Sequence, residues 1–141
     1  MNNKAQSLLK FNNYVVESIE FRANFNFSGE DKDIKFDFDS SYEFEDDNFI
    51  LKLNMVIFPG AEQNDYPFSM KVEMIGLFEV ESSADDNTKI NFAEKNAIAI
   101  LFPYLRSLVS VYTSNANIGT TILPPINVVK YLNDKKDAES K

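Results

Sequence analysis

The longest uncharged apolar run of the chain lies within residues 90–129, and it constrains the fold more than any other stretch. Its apolar side chains recur at steps of three and four, which places one set on a single stripe of a helix: Ala93, Ala97, Ile100, Leu101, Tyr104, Leu108 and Tyr112. A second stripe lies beside the first and contains Ile98, Phe102, Leu105 and Val109. A helix that is apolar around most of its circumference has to be covered from more than one side.

Local signals predict the start and the shape of this helix. Asn91, followed three residues later by Glu94, predicts the N-terminus, because the Asn side chain accepts a hydrogen bond from a free backbone N–H while the Glu reaches back. Pro103 removes a backbone donor inside the apolar pattern. We therefore expect a kink or a displaced first turn near residues 99–102.

The segment after the helix is rich in turn-forming residues. Ser, Asn and Gly cluster at residues 114–119 and predict the end of the helix. Pro124 and Pro125 predict a rigid extended turn, followed by a short second helix over residues 126–133. Residues 134–141 are mostly charged and predict a disordered tail.

Four earlier stretches alternate apolar and polar residues with the period of two that indicates strands. Tyr14 and Val16 are out of phase with the rest of the first stretch, which predicts a bulge near Glu17 and Ser18. Gly76, inside the fourth stretch, predicts a bend or a close backbone approach. The apolar positions are Ile19, Phe21, Ala23 and Phe25; Ile34, Phe36, Phe38, Tyr42 and Phe44; Phe49, Leu51, Leu53, Met55 and Ile57; and Phe68, Met70, Val72, Met74, Phe78 and Val80.

Strands followed by helices predict an α+β fold. The expected architecture is a four-stranded antiparallel sheet packed by the long bent helix and by a short C-terminal helix. Residues 45–48 predict a hairpin turn between the second and third strands. The 141 residues fit one domain, 1–141, in which residues 1–12 form a flexible N-terminal arm or a short helix.

The residues that end the chain resemble a known family. From residue 100 to residue 132 the sequence reads ILFPYLRSLVSVYTSNANIGTTILPPINVVKYL. This closely resembles the signature of the SecB family of bacterial export chaperones, an N-I-L-F-P-Y-A-R-like helix followed by a loop and an L-x-P-x-N segment. The matching positions are Leu101, Phe102, Pro103, Tyr104, Arg106, Leu123, Pro125 and Asn127. The resemblance implies a four-stranded antiparallel sheet with a long and a short helix, and tetramers made as dimers of dimers.

Composition excludes several classes of function. The absence of Cys and His removes disulfides, thiolate and imidazole metal sites, and Ser-His-Asp or Cys-His catalysis. No glycine-rich phosphate loop is present, so we expect no use of ATP. The carboxylate pairs Asp46–Asp47 and Asp85–Asp86 are adjacent acids in turns and point in different directions, so we expect no enzyme activity and no cofactor. A net charge of −8 disfavours nucleic acid and favours basic polypeptides. Without a signal-peptide core or about 18 uninterrupted apolar residues, we expect a cytoplasmic protein with no stable membrane insertion. The family resemblance implies a bacterial one.

The second helix stripe has no partner if the sheet packs on the first. Phe102, Leu105 and Val109 would then be exposed, and we expect them to form a helix-to-helix subunit contact in a homo-oligomer. The alternative is a helix buried between the sheet and the C-terminal segment.

A second apolar group is predicted on the outer sheet face and in the loop before the last helix. Non-directional contacts to apolar side chains suit the loose binding of unfolded polypeptide clients. The alternative for the strand residues is that they seal a subunit interface. The group consists of Val56, Phe58, Ile75, Leu77, Ile118, Ile122 and Leu123.

The chain departs from the family at two positions and in one loop. Family members that dock on the SecA motor ATPase carry acidic residues on the outer faces of the first and fourth strands, where the alignment here places Arg22 and Lys71. The family's long crossover loop with its Trp is shortened here, and the chain has no Trp. Because opposite charge weakens docking to a basic partner, these departures argue against a SecA-type motor as partner.

Several functions remain open at this point. The first is an ATP-independent holdase that binds unfolded polypeptides such as preproteins for export. The second is a related chaperone dedicated to one client, such as an antitoxin. A structural or adaptor oligomer and a small-ligand binder are the other classes.

Overall fold

The computed structural model describes residues 8–139, so residues 1–7 and 140–141 lie outside the described part of the chain. The predicted α+β class is confirmed, with a four-stranded antiparallel sheet, a long helix and a C-terminal helix. In chain order the elements are β1 (Leu9–Ala23), β2 (Phe36–Glu45), β3 (Asn48–Ile57), α1 (Ala61–Asn64), β4 (Phe68–Val80), α2 (Asp86–Asn91), a π-helical turn (Phe92–Asn96), α3 (Ala97–Asn115) and α4 (Val128–Glu139).

The strands lie in the order β1-β4-β3-β2, and every neighbouring pair is antiparallel. β2 and β3 are joined by the predicted hairpin, in which Glu45 pairs with Asn48 and Asp46 has a positive φ of 56°. Asp tolerates this left-handed conformation better than most residues with a Cβ. The order leaves β1 and β2 as the two edges of the sheet.

The register of β1 against β4 shifts twice. One shift lies between Phe11 and Asn13, and the other between Val16 and Ser18. The second confirms the bulge predicted near Glu17 and Ser18, whereas the first was not predicted. Since each extra residue reverses the alternation of faces, apolar residues of both phases face the same side of the sheet.

The predicted flexible arm, residues 1–12, is wrong for residues 9–12, which form the first part of β1. Leu9 pairs with Val80 and Phe11 with Phe78, and the ring centroids of Phe11 and Phe78 are 5.1 Å apart. Leu9 and Phe11 belong to the sheet because β4 is long enough to pair with this segment. Residues 1–7 of the predicted arm lie outside the described residues.

The inner face of the sheet packs against the long helix. A Cβ added to Gly76 would lie 2.8 Å from Phe78 Cε1 and 3.0 Å from Leu101 Cδ2, so this glycine confirms the predicted close approach. Residues from the strands and from every fourth position of the helix have no exposed surface: Leu51, Leu53, Met55, Val72, Met74, Ala93, Ala97, Leu101, Leu105 and Val109. These side chains form the centre of the core.

The long helix begins earlier than predicted. Asp85 is its N-cap, since Asp85 Oδ1 accepts a hydrogen bond from the Thr88 backbone N–H at 2.8 Å. This hydrogen bond lowers the pKa of the Asp85 carboxyl. Asn91, the predicted cap, has helical φ and ψ of −59° and −40°. The Asn91 and Glu94 pattern was therefore wrong as a start signal, because Asp85 offers its carboxylate a full turn and a half earlier.

A turn of π-helix interrupts the long helix at Phe92–Asn96, upstream of the predicted irregularity at residues 99–102. The Ala97 N–H donates there to the Phe92 carbonyl, one residue further back than in an α-helix. Pro103 lies inside α3, which runs on to Asn115.

α4 begins at Val128, two residues after the predicted start at residue 126, and ends later than predicted, at Glu139. Asn127 Oδ1 accepts a hydrogen bond from the Lys130 N–H at 3.0 Å, which caps the helix. The predicted disordered tail, residues 134–141, is wrong for residues 134–139, which are helical. Lys130 pairs with Asp134 at 2.7 Å one turn later, and this pair supports the extension. Residues 140–141 lie outside the described residues.

Lys135 attaches α4 to the edge strand β2. Its Nζ donates to Asp37 Oδ1 at 2.7 Å, to Asp39 Oδ2 at 2.9 Å and to the Phe38 carbonyl at 3.3 Å. The Tyr131 ring packs on Phe36 with centroids 5.5 Å apart. We call the contacts of Lys135 the Lys135 clasp. A lysine that occupies an edge carbonyl also protects the edge from pairing with another strand.

The close approach at Gly76 predicts the effect of adding one methyl group. Gly76→Ala should lower the free energy of unfolding by about 1–3 kcal/mol, because Phe78 and Leu101 have to shift. Chemical denaturation measures this change. The control is Ser69→Ala on the outward face of the same strand, which should stay within about 0.5 kcal/mol of the wild type. Equal stability of the two variants would contradict the close packing of sheet and helix.

The Lys135 clasp predicts a dependence on pH. The hydrogen bond from Lys135 lowers the pKa of the Asp37 carboxyl below its ordinary value of 3.8. A carboxyl whose pKa is lower in the folded chain contributes stability above the unfolded pKa and loses it as pH falls through the folded pKa. Hydrogen-exchange protection of α4 should therefore decrease below about pH 4, relative to the rest of the core.

The control for this experiment is Asp37→Asn, which should have weaker α4 protection at neutral pH and a flatter pH profile. Asp134→Asn removes a pair within α4 and should keep the profile of the wild type. A profile that Asp37→Asn leaves unchanged would rule out the clasp as its cause.

Candidate interaction surfaces

Four apolar side chains form one patch on the outer face of the sheet. Val15 on β1 pairs with Ile75 on β4, and Ile50 on β3 pairs with Leu77 on β4. Directly opposite residues in antiparallel strands have adjacent side chains, so the four are contiguous across three strands. Val15 is 53% exposed, and Ile50 and Leu77 are also exposed. We call Val15, Ile50, Ile75 and Leu77 the outer-face patch.

Charged residues border this patch on the side of the bulge. Lys52 Nζ lies 2.8 Å from Glu17 Oε1 and 3.1 Å from Glu73 Oε2, and Lys71 Nζ lies 3.5 Å from Glu73 Oε1. The hydrogen bond from Lys52 lowers the pKa of the Glu73 carboxyl. This network separates the outer-face patch from the other half of the sheet.

A cleft of about 580 Å³ adjoins the patch at the hairpin end of the sheet. Ile50 and Leu77 line it together with Asn12, Glu43 and Glu45. The apolar residues of the patch therefore lie beside carboxylates on this side. Among residues 8–139, no group of carboxylates has the arrangement that could hold a metal ion.

The outer-face patch contains two of the four predicted strand residues, Ile75 and Leu77. Val56 lies on the same face but pairs with Lys71 and Asp37, so its neighbours are charged. Phe58 was wrongly predicted to be on this surface. It is buried, because a positive φ of 53° after β3 turns its side chain into the core.

Phe58 packs there between two other aromatic residues. Its ring centroid lies 4.8 Å from that of Tyr66 and 5.1 Å from that of Phe68. The positive φ of Phe58 thus ends the alternation of inward and outward side chains along β3.

The three predicted loop residues have different environments. Ile122 is 63% exposed, Ile118 is partly buried against the core, and Leu123 is buried. Leu123 was therefore wrong as an exposed client-binding residue. Its carbonyl accepts hydrogen bonds from Arg106 Nε at 3.1 Å and Nη2 at 2.9 Å, and these bonds hold the segment against α3.

The predicted subunit-interface stripe is also wrong, since Phe102, Leu105 and Val109 are buried within the chain. The Phe102 ring packs edge-on against Phe38 of β2, with centroids 5.3 Å apart. The alternative considered from the sequence holds: the helix is covered by the sheet on one side and by the C-terminal segment on the other.

A different side of α3 is exposed, beside the outer edge of β1, which pairs with no strand among residues 8–139. Ile100, Tyr104 and Val111 are exposed on the helix, and Val111 is 56% exposed. The Tyr104 ring lies 4.7 Å from that of Tyr14 and 5.6 Å from that of Phe11, both on β1. We call Tyr14, Ile100, Tyr104 and Val111 the edge surface.

Sequence reasoning missed Val15, although a signal for it existed. Tyr14 and Val16 were recognised as apolar residues of one phase, and Val15 between them must then point outward. The edge surface gave no such signal, because Ile100 and Tyr104 fit the same helical stripe as the buried Leu101.

The helix spanning residues 86–115 is long and apolar enough to cross a membrane by length and composition. The core helix of a soluble protein passes the same test. Here Ala97, Leu101 and Leu105 are fully buried against the rest of the fold, which accounts for its apolar character.

A family model described as preprotein translocase subunit SecB matches residues 16–139. The chain belongs to the SecB family. An uncharacterized protein of Methanocaldococcus jannaschii is 40% identical over 126 residues, which cover 85% of this chain and 79% of that protein. The resemblance predicted from residues 100–132 is thus confirmed over most of the chain.

Two solved structures share the fold of this SecB-family chain. One is a SecB-like chaperone of Mycobacterium tuberculosis in complex with a ChAD peptide from the HigA1 antitoxin; its TM-score is 0.69 at 11% identity, covering 87% of this chain and 91% of that one. The other is a protein of unknown function from Streptococcus agalactiae, with a TM-score of 0.55 at 14% identity, covering 82% of this chain and 96% of that one.

The two basic residues noted as departures from the family lie on the outer face of the sheet. Lys71 pairs with Glu20, and Arg22 pairs with Ser69. Both basic side chains are exposed. The charged half of the outer face is therefore mixed in sign rather than acidic.

Because Phe102, Leu105 and Val109 are buried in the core, truncating one of them should destabilise the fold. Leu105→Ala should lower the free energy of unfolding by about 2–5 kcal/mol, because it leaves a cavity under α3. Ile100→Ala, on the exposed side of the same helix, should cost about 1 kcal/mol or less. Denaturant titration distinguishes them. If Leu105→Ala left stability unchanged and only dissociated subunits, the stripe would be an interface after all.

Proposed function

We propose that this SecB-family protein is an ATP-independent holdase that binds unfolded polypeptides. The observation that carries the proposal is the family match over residues 16–139 combined with an exposed apolar patch that the fold does not use. The fold neighbour from Mycobacterium tuberculosis, which binds an antitoxin peptide, supports polypeptide segments as the class of ligand.

The outer-face patch is suited to clients of varied sequence. Val15, Ile50, Ile75 and Leu77 supply apolar contacts, which are non-directional and tolerate different side chains. Glu43 and Glu45 line the adjoining cleft and favour segments that combine apolar with basic residues. Of the other predicted client residues, Ile118, Ile122 and Val56 keep this role as peripheral contacts.

The cellular setting of the proposal is bacterial-type protein export. Preproteins for export are the proposed clients, and the cytoplasm is the proposed location. We further propose a homo-oligomer, a dimer of dimers, in which the edge surface is covered by a subunit contact. A large aromatic and aliphatic surface beside an unpaired strand edge supports that assembly.

A dedicated chaperone is the alternative. Arg22 and Lys71 occupy the outer-face positions where family members that use the SecA motor are acidic, and their exposure here supports a client-specific role without that motor. A structural or adaptor oligomer would use the same apolar surfaces for self-assembly alone.

The proposal predicts that the purified protein suppresses aggregation of an unfolded test protein without nucleotide. Light scattering of a denatured client diluted into buffer measures this. The double variant Ile50→Ser and Leu77→Ser should lose most of the suppression, because it removes half of the outer-face patch. Ile90→Ser replaces an exposed apolar residue outside both surfaces and should behave as the wild type.

Different outcomes separate the functions. Suppression for many clients favours the general holdase, whereas binding of one client alone favours the dedicated chaperone. A correctly assembled wild-type protein that suppresses nothing and binds no peptide would overturn the chaperone proposal and leave the structural oligomer.

A further inference from the structure

The turn after β1 presents a phenylalanine to solvent. Phe25 is 98% exposed, the highest exposure among the large apolar side chains of residues 8–139 that are exposed. A side chain of this type normally contributes to a core or to an interface. In a loose loop such exposure would need no explanation. The contacts that hold this turn in place therefore decide whether the exposure is significant.

Polar contacts fix the turn on both sides of Phe25. The buried Asn24 donates through Nδ2 to the Ala61 carbonyl at 3.2 Å and to the Tyr66 carbonyl at 2.9 Å. Asn24 Oδ1 accepts from the Asn26 N–H at 3.0 Å. A buried amide with all these partners holds the backbone in one arrangement.

A second attachment lies three residues after Phe25. Asp65 accepts hydrogen bonds from the backbone N–H and from the hydroxyl of Ser28, the former at 2.8 Å. Phe25 is therefore carried outward on a turn that is tied to the α1 region before and after it. This is the arrangement of a preorganised contact residue.

An apolar cleft lies near the same end of β1. It has a volume of about 360 Å³, which is ample for a benzyl group, and it is lined by Phe21, Leu108, Val111, Tyr112, Asn115 and Ala116. The Phe21 and Tyr112 rings form one wall, with centroids 5.5 Å apart. Val111 on the other side is part of the edge surface.

We propose that Phe25 of one copy occupies this cleft of a second copy. Phe25 does not fill the cleft of its own chain, since it is almost fully exposed. The projecting ring and the cleft belong to one chain and are close in sequence, since Phe25 lies in the turn after β1 and Phe21, which lines the cleft, lies near the end of β1. A two-fold axis beside the unpaired edge of β1 would therefore make the contact twice, as isologous interfaces do.

A second copy is the proposed occupant because the turn that carries Phe25 and the cleft that would receive it are both rigid. An unfolded client offers no fixed pocket that would match a preorganised ring, whereas a second copy offers the cleft at one position. The inference rests on the oligomer proposed above and identifies residues that hold it together.

The chain contains no cysteine, which permits a direct test by disulfide trapping. Phe25→Cys and Val111→Cys are prepared separately, one with a mass tag, then mixed and oxidised. A disulfide between the two differently sized chains can only be intermolecular. We expect this mixed product to exceed the products of either variant alone, and to be absent when Ile122→Cys replaces Val111→Cys.

A second measurement tests the energetic role of the ring. Phe25→Ser should keep the circular dichroism spectrum of the wild type, because the side chain is exposed, and should raise the dissociation constant between copies by about tenfold or more. Ile122→Ser is the control of similar character and should leave that constant unchanged. Analytical ultracentrifugation measures both.

The possible results of these experiments test the Phe25 contact separately from the proposed holdase function. An assembled wild type that gives no mixed disulfide, with Phe25→Ser assembling normally, overturns the Phe25 contact and leaves the holdase proposal standing. A wild type that is monomeric at every concentration overturns the contact and the proposed oligomer together. Loss of client binding by Phe25→Ser with unchanged assembly would assign the ring to clients and overturn the contact.

Discussion

The packing of the long helix on the inner face of the sheet is the contact on which the other features depend. A fully buried side chain at every fourth position, from Ala93 to Thr113, forms a line along the helix. Gly76 removes a side chain where Leu101 comes closest. This contact uses the whole inner face, so the opposite side of the helix needs a separate cover. The segment held by the hydrogen bonds from Arg106 to the Leu123 carbonyl supplies it.

Most of the large apolar side chains that this core leaves exposed lie on two separate surfaces. The outer-face patch is flat and is shared by three strands, whereas the edge surface combines the tilted, closely packed rings of Tyr14 and Tyr104 with the outer edge of β1. Flat apolar surfaces bind without much selectivity, and strand edges with aromatic neighbours favour defined assembly. The two surfaces therefore differ in the way that the two proposed tasks require, client binding for the outer-face patch and contact between copies for the edge surface.

Local periodicity was sufficient to predict the strands, the hairpin, the bulge at Glu17 and the fold class. It failed where a backbone angle ends the alternation of a strand and where a residue's environment depends on distant partners. Phe58 was placed on the wrong face because a positive φ ends the alternation, and Leu123 because its cover comes from Arg106, 17 positions away. The two helical stripes were divided wrongly, since Leu105 of the second stripe continues the buried line of Leu101, whereas Ile100 of the first stripe is exposed. Spacing identifies apolar positions but does not say which element covers them.

The end of α4 was predicted to be disordered but is helical, again because its environment depends on distant residues. Its charged composition is typical of a disordered segment, yet Lys135 finds two carboxylates and a carbonyl on β2, about a hundred residues earlier in the chain.

A chain with two exposed apolar surfaces also has to prevent the wrong pairing between them. Charge separates the outer-face patch from its surroundings, because Lys52 is held between Glu17 and Glu73 at its border. Geometry restricts the contacts made beside the edge surface, because the hydrogen bonds of Asn24 fix the direction in which Phe25 projects. In the proposed contact the ring and the cleft of each copy are both used across one two-fold axis, and this isologous arrangement closes the assembly instead of leaving an open chain. Such closure would bury the edge surface and leave the outer-face patch of each copy facing solvent, where it is free for a client.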